Sequence, residues 1–414
     1  MYYLSLRSFE TNLPLARISE YQGAKKVIFG TGSVESSIGL EVKRFGQRVG
    51  LITDKGIEKV GIVGKVVDLI KREGVGVDVY DDIASEPNSD SVRKAVAFGR
   101  EGKYDAVVGL GGGAVMDTAK MVATCLTNPD DLMTYVNPTQ DTIKFPPKPK
   151  ILIPTTSGTG SEVSPYSVII EGMYKTWAAS PSLYAETAIV DPLMVMSCPQ
   201  KQTAGSAMDA LSHCVEALIS NYSNPISDSQ ALEAVGLIFN YARRAYHDGK
   251  DLEARWGMSC ASMLGGIVIG YTWIGGPAIL GHCIAEAAGP RWSIPHGAAC
   301  GMALPYVLGF NLPACFEKIA RFSWMTGADV HALSTREAAK AAIREVVTLM
   351  KDLDLPLTLK EFGVPKNELP EFSDYIVNER QFIYGLPTFN PRKITEENMR
   401  LLMEHLFEGM ILEE

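Results

Sequence analysis

One stretch restricts the fold more than any other. Residues 105–110, Asp-Ala-Val-Val-Gly-Leu, are apolar after the first and stop at Gly111, Gly112 and Gly113, beyond which a helical pattern opens. A strand that is apolar on both faces has to be covered on both faces, and parallel sheets layered between helices are where such strands are found. The neighbouring sequence agrees. Residues 26–29, 48–53, 77–80 and 151–153 read as strands, and 61–73 and 89–100 as helices between them. Such alternation predicts an α/β unit on a mainly parallel sheet, whose ligands bind beyond the carboxyl ends of the strands. After Pro199 the chain reads as successive helices, 202–219, 227–248, 252–269, 281–288, 302–308, 313–324, 335–353 and 395–408, with few strand-like runs. Since 414 residues exceed the roughly 100–200 of a typical domain, we divide the chain into an α/β unit, 1–195, and an all-α unit, 196–414, with a cleft between them.

Composition narrows the partners. Apolar residues make up 46% and charged residues 21%, as in ordinary folded globular proteins. The formal net charge of −9 argues against a nucleic-acid backbone binder, which needs a basic patch. Residues 1–14 lack the charged-then-apolar-then-small order of a signal peptide. The nearest approach to a membrane span, 265–280, is glycine-rich and shorter than the roughly 20 residues required. A cytoplasmic protein with no membrane partner is expected. The seven cysteines are odd in number and contain no Cys-x-x-Cys pair, so they read as small buried apolar side chains.

The glycine turn carries the first chemical signal. Consecutive glycines let backbone amides approach a phosphate, and the helix that follows adds a favourable field for anions, so a pyrophosphate is the natural guest. The turn has neither the Gly-x-Gly-x-x-Gly spacing nor a P-loop ending, and by itself it also suits a tight strand-to-helix connection. A second glycine-spaced loop, Pro154-Thr155-Thr156-Ser157-Gly158-Thr159-Gly160-Ser161-Glu162, follows the 151–153 strand with hydroxyls suited to phosphate and ribose oxygens. Asp54 follows the 48–53 strand, where a doubly wound sheet places an adenosine ribose. A carboxylate there favours NAD over NADP.

The second signal lies in the helical half. Asp209 and His213 are four apart in a stretch that reads as helical, so both leave one face; His282 sits in another helical stretch, and His296 follows Pro295 in an expected loop. Three imidazoles and a carboxylate suit zinc or ferrous iron with a position left open for substrate. The remaining histidines, His247, His331 and His405, have ordinary amphipathic surroundings.

Taken together and in this order, Gly111-Gly-Gly-Ala114-x-x-Asp117-x-x-Lys120, Pro154-Thr-Thr-x-Gly-Thr-x-Ser-Glu162, Met208-Asp-Ala-Leu-x-His213, His282, Pro295-His-Gly297 and Asn390-Pro-Arg392 resemble the iron-containing (group III) alcohol dehydrogenases over nearly the whole chain. The resemblance implies a Rossmann-like dinucleotide-binding domain followed by a helical metal domain. It also implies NAD(H)-linked interconversion of an alcohol and an aldehyde or ketone, and a homodimer or larger homo-oligomer. By position it assigns Asp209, His213, His282 and His296 to one divalent metal, Fe²⁺ or Zn²⁺. Asp54, Gly111, Gly112, Gly113, Ala114, Asp117, Thr155, Thr156, Thr159 and Lys175 fall to the dinucleotide, NAD before NADP, and Tyr166 and Trp273 to the substrate pocket.

Three positions depart from the pattern: Ala114 replaces a common serine, Gly275-Gly-Pro277 changes the glycine spacing before His282, and Glu286 stands where a second histidine is expected. Glu286, one helical turn beyond His282, is expected to act as a proton relay or to support the metal ligands rather than to bind the ion itself. Two other readings share parts of this pattern. An enzyme like dehydroquinate synthase or glycerol dehydrogenase would use the same architecture, the former with a lysine- and arginine-rich pocket, to which only Arg291 lies near; a nucleotide-sensing module would bind NAD without turnover.

Overall fold

The computed structural model describes residues 20–84, 86–172, 174–271 and 278–411. In the first half, β1 (Val27–Phe29), β2 (Arg48–Ile52), β3 (Gly76–Tyr80), β4 (Ala106–Gly111), β5 (Lys150–Pro154) and β8 (Thr187–Val190) form one six-stranded sheet in the order β1-β8-β5-β4-β2-β3, all pairs parallel. The apolar run that stops at the three glycines forms β4, at the sheet's centre. Its alternate side chains serve two cores, as its sequence requires. Val107 packs with Ile52 and Leu152 under the helices Ser89–Gly102 and Gly113–Cys125, whereas Val108 and Leu110 pack with Leu51, Ile151 and Ile153 under Ser33–Lys43 and Ile62–Arg72.

The topology makes a crevice. The chain leaves β2 toward β3 on one side and leaves β4 toward β5 on the other, so the connections diverge between the carboxyl ends of β2 and β4. Such a divergence is where open α/β sheets bind ligands. The buried Thr53 hydroxyl donates to the Leu110 carbonyl at 2.8 Å, and the Thr155 amide to the Gly111 carbonyl at 3.0 Å, which holds the three strand ends level.

Several features went unread in the sequence, among them the strand β8 and the helix Ser33–Lys43. β6 (Tyr166–Glu171) and β7 (Tyr174–Ala179) form an antiparallel hairpin, and Trp177 and Ala179 on it belong to the core of the helical half. The loop 154–162 also docks on that half: Gly160, at φ +58°, lies against Gly266, and a Cβ on Gly160 would stand 2.4 Å from the Gly266 Cα. Only glycine fits there. The halves are therefore joined by packing as well as by chain.

The helical half is built around Gln200–Ile219, which packs against Pro225–His247, Leu252–Gly270 and His296–Ser323. The last merges the two short helices expected at 302–308 and 313–324, bends at Cys315 two residues after Pro313, and begins at His296 itself rather than after a loop. Among the described residues this helix, not the 265–280 stretch, has the length and hydropathy of a membrane span. Its apolar window is 83% buried in the core, which accounts for its composition.

Candidate metal centre

Every residue of Gln200–Ile219 from Ser206 onward is buried. Asp209, His213 and Glu216, at i, i+4 and i+7, are thus three ionisable groups on one stripe withdrawn from water, which costs several kcal/mol unless specific partners compensate. Two helices bring the partners: His282 lies near the start of Leu280–Trp292, and His296 is the first residue of its helix, behind Pro295. Asp209 Oδ1 lies 3.9 Å from His213 Nε2, 3.7 Å from His282 Nε2 and 3.5 Å from His296 Nε2. The His213 and His282 rings stack with centroids 4.5 Å apart, and His296 meets His282 edge-on at 5.7 Å.

These separations are wrong for hydrogen bonds and right for a shared cation. Asp209 Oδ1 and His282 Nε2 are buried without a hydrogen-bond partner. A tetrahedral ion with bonds of about 2.1 Å spaces its ligand atoms about 3.4 Å apart, close to the distances from Asp209 Oδ1 to His282 and His296; His213, at 3.9 Å, lies outside the group of donors that are all close to one another. Burial opposes ionisation of Asp209, but the facing imidazoles prevail and hold its carboxyl below the usual range. Burial pushes His213 down to about 4, and burial with Lys175 nearby also depresses His296, so both offer lone pairs at neutral pH. His282 goes the other way. Burial opposes its protonation, but Cys300, Glu216 and Asp209 outweigh it and raise it above the usual imidazole range.

Glu216 explains how His282 is aimed. Its carboxylate is fully buried and accepts from the amides of Ile279 (2.5 Å) and His282 (3.1 Å) and from His282 Nδ1 (3.2 Å). With the proton on Nδ1, the Nε2 lone pair faces Asp209. The approach depends on Gly281, where a Cβ would stand 2.1 Å from Glu216 Oε1.

The dinucleotide signals converge on the crevice. Gly112 caps Gly113–Cys125 with no side-chain cap, so the first-turn amides are free for an anion. Thr156 and Thr159 line the facing wall: a Cβ on Gly112 would meet Thr156 Cγ2 at 3.5 Å, and one on Gly113 would meet Thr159 Cγ2 at 2.7 Å. Asp54 is at the end of β2, but its Oδ1 already accepts from the amides of Gly56 (2.8 Å) and Ile57 (3.1 Å) as an N-cap, which leaves Oδ2. Gly158, in the same threonine loop, lies against the backbone of Ser206 and beside His213, so the crevice opens toward the metal cluster.

Comparison with known proteins agrees. The family description "Iron-containing alcohol dehydrogenase" matches residues 24–192, and that of the Fe-containing alcohol dehydrogenase C-terminal region matches 203–407. The chain belongs to the iron-containing alcohol dehydrogenase family. It is a metal-dependent, NAD(H)-linked oxidoreductase of alcohols and aldehydes. A long-chain-alcohol dehydrogenase of Geobacillus thermodenitrificans is 36% identical over 90% of this chain and 93% of its own. A 1,3-propanediol dehydrogenase of Klebsiella pneumoniae is 31% identical over 87% and 92%. The crystal structure of a 1,3-propanediol oxidoreductase superposes with a TM-score of 0.87 at 31% identity, covering 94% of this chain and all of that one. An alcohol dehydrogenase from Oenococcus oeni gives the same TM-score at 29% identity, with the same coverage.

Within this member of the iron-containing alcohol dehydrogenases, several of the expected site residues already have protein partners. Both carboxyl oxygens of Asp117 are taken by the protein. Oδ1 accepts from Ser161 Oγ (2.5 Å) and the buried Lys120 Nζ (3.3 Å), and Oδ2 from the Val168 amide (2.9 Å). Asp117 thus braces the glycine-turn helix against the threonine loop and β6. Tyr166 commits its hydroxyl to the Ile269 carbonyl at 3.2 Å, and Trp273 lies outside the described residues. Lys175 is buried at the metal end: Glu86 Oε2 is 3.1 Å from its Nζ, and although burial opposes its charge, Glu86 and Glu286 raise its pKa above the lysine norm. Glu286 is not among the clustered donors. Its Oε2 pairs with Arg380 Nη2 at 3.3 Å, both side chains being buried, and Arg380 Nη1 donates to the Lys175 carbonyl at 2.9 Å.

Three residues were missed. Glu216 lies three residues after His213, and Cys300 four after His296, helical spacings that place each beside a proposed ligand. Arg380, more than ninety residues from Glu286, leaves no such local trace.

Proposed function

We propose that the chain oxidises an alcohol to an aldehyde or ketone, and runs the reverse, with NAD(H) in preference to NADP(H). Fe²⁺ or Zn²⁺ is held by Asp209, His213, His282 and His296. One observation carries the reading: the buried, unpartnered Asp209 Oδ1 and His282 Nε2 lie at the end of the crevice lined by Gly112, Gly113, Thr156 and Thr159. When bound, the ion would supply Lewis acidity toward the substrate oxygen, and the nicotinamide would supply the hydride donor or acceptor. The chain supplies the rest. Glu216 aims His282, the free first-turn amides after Gly112 receive the pyrophosphate, and Asp54 Oδ2 meets the ribose and disfavours a 2′-phosphate. The relatives act by name on long-chain alcohols, 1,3-propanediol, choline and sulfoacetaldehyde, which supports an alcohol or aldehyde substrate without choosing one. The family also supports a homodimer or larger assembly.

The synthase-like reading loses its cations. Arg291 is paired with Glu368 (3.0 Å) and Glu371 (3.2 Å), while Lys175 and Arg380 already face Glu86 and Glu286. The test is an alcohol and aldehyde panel with NAD(H) and NADP(H) on metal-free protein reconstituted with Fe²⁺ or Zn²⁺. Metal-dependent accumulation of NADH is expected. Binding of NAD without turnover across the panel would instead favour a sensing module.

A further inference from the structure

Four donors lie closer together than the sequence suggested, and one is a thiol. Asp209, His282, His296 and Cys300 each offer a ligand atom, and all four atoms fall within 4.8 Å of one another. Cys300 is fully buried, and its Sγ is 3.7 Å from His296 Nε2 and 3.9 Å from Nδ1. It reaches this place because His296 opens the helix and Cys300 follows at i+4 on the same face. A tetrahedral centre with one metal–sulfur bond of about 2.3 Å and one metal–nitrogen bond of about 2.1 Å sets sulfur and nitrogen about 3.6 Å apart. A second observation points to the same spot: Asp209 Oδ1 and His282 Nε2 are buried, unpartnered and aimed into it.

We propose that Cys300 is a further donor to the metal centre, its Sγ forming with Asp209, His282 and His296 a second four-donor set that shares three residues with the first. His213 and Cys300 are then alternative fourth donors around a common core. Binding of the ion breaks the S–H bond and releases the proton to solvent, and the resulting thiolate biases the site toward ions that accept sulfur, Zn²⁺, Co²⁺ and Fe²⁺, and away from Mg²⁺ and Mn²⁺. Cys214 and Cys283, each next in sequence to a proposed ligand, are buried outside the cluster and serve as controls.

This proposal rests on the metal centre itself, and the experiment separates the two. Full-length protein is loaded with Zn²⁺ and examined by X-ray absorption at the zinc edge, then with Co²⁺ and examined for thiolate-to-cobalt charge transfer in the near ultraviolet. The expected result is a sulfur neighbour at about 2.3 Å and a charge-transfer band. Cys300→Ser should lose both, and Cys283→Ser should keep both. Bound zinc with only nitrogen and oxygen neighbours overturns the role of Cys300 and leaves the centre standing; absence of stoichiometric zinc or cobalt overturns both. Should Cys300→Ser fail to fold, the wild-type spectra decide alone.

Discussion

Glu216→Gln is the most searching test of how this centre is held. The side chain is fully buried, and its carboxylate takes three donors: the Ile279 amide at Oε2, and the His282 amide and Nδ1 at Oε1. Glutamine keeps the shape but replaces one acceptor oxygen by an NH₂. Placed toward Ile279, that NH₂ opposes a backbone N–H. Placed toward His282, it opposes the amide and drives the imidazole proton from Nδ1 to Nε2, which removes the lone pair that faces Asp209. Either way a buried donor goes unmet, at a cost of about 1–3 kcal/mol. Loss of an outer partner of a ligating histidine corresponds to about 10–100-fold in metal affinity. Competition of the holoprotein with a chromophoric chelator measures this directly, with circular dichroism as a check on folding. A Kd for Zn²⁺ unchanged in a folded Glu216→Gln protein would show that packing alone orients His282, and the argument from Glu216 would fail.

Other perturbations follow from the same geometry. Burial raises the Glu162 carboxyl from 4.5 to about 7, against its own backbone amide and Lys120. The stability tied to its protonation is full below 4.5 and is lost as pH rises through 7, at most about 3 kcal/mol. Glu162→Gln should flatten that slope in urea titrations, gaining on the wild type between pH 5 and pH 8, and parallel curves would refute the assignment. Gly113→Ala puts a Cβ 2.7 Å from Thr159 Cγ2 and should raise the KM for NAD by about fivefold, the roughly 1 kcal/mol needed to shift that rotamer. Unchanged KM would place the dinucleotide elsewhere. Asp54→Ala removes an N-cap worth about 1 kcal/mol and should narrow the preference for NAD over NADP; an unaltered cofactor ratio would exclude Asp54 from the ribose site. Glu286→Ala leaves the Arg380 guanidinium buried without its anion and should cost about 3–5 kcal/mol in denaturation, with stoichiometric zinc retained. Zinc loss would instead place Glu286 among the groups that hold the ion.

The sequence alone went far where its physics is local. β4 had to be central because both its faces are apolar, and the glycines after it had to turn toward a helix. Asp209 and His213 had to share a face because 3.6 residues make a turn. The same spacing contained Glu216 and Cys300, but a helical offset says only that two side chains are neighbours, not which donor meets which lone pair. Tertiary structure decided what depends on separation in the chain. It brought Leu280–Trp292 beside Gln200–Ile219 so that Glu216 could accept a hydrogen bond from His282 Nδ1, and it set Arg380 against Glu286. It also turned Asp117 inward to Ser161 and Val168. Carboxylates show the division most clearly. Their type and position are written in the sequence, but each is an acceptor whose role belongs to whichever donor the fold leaves without water.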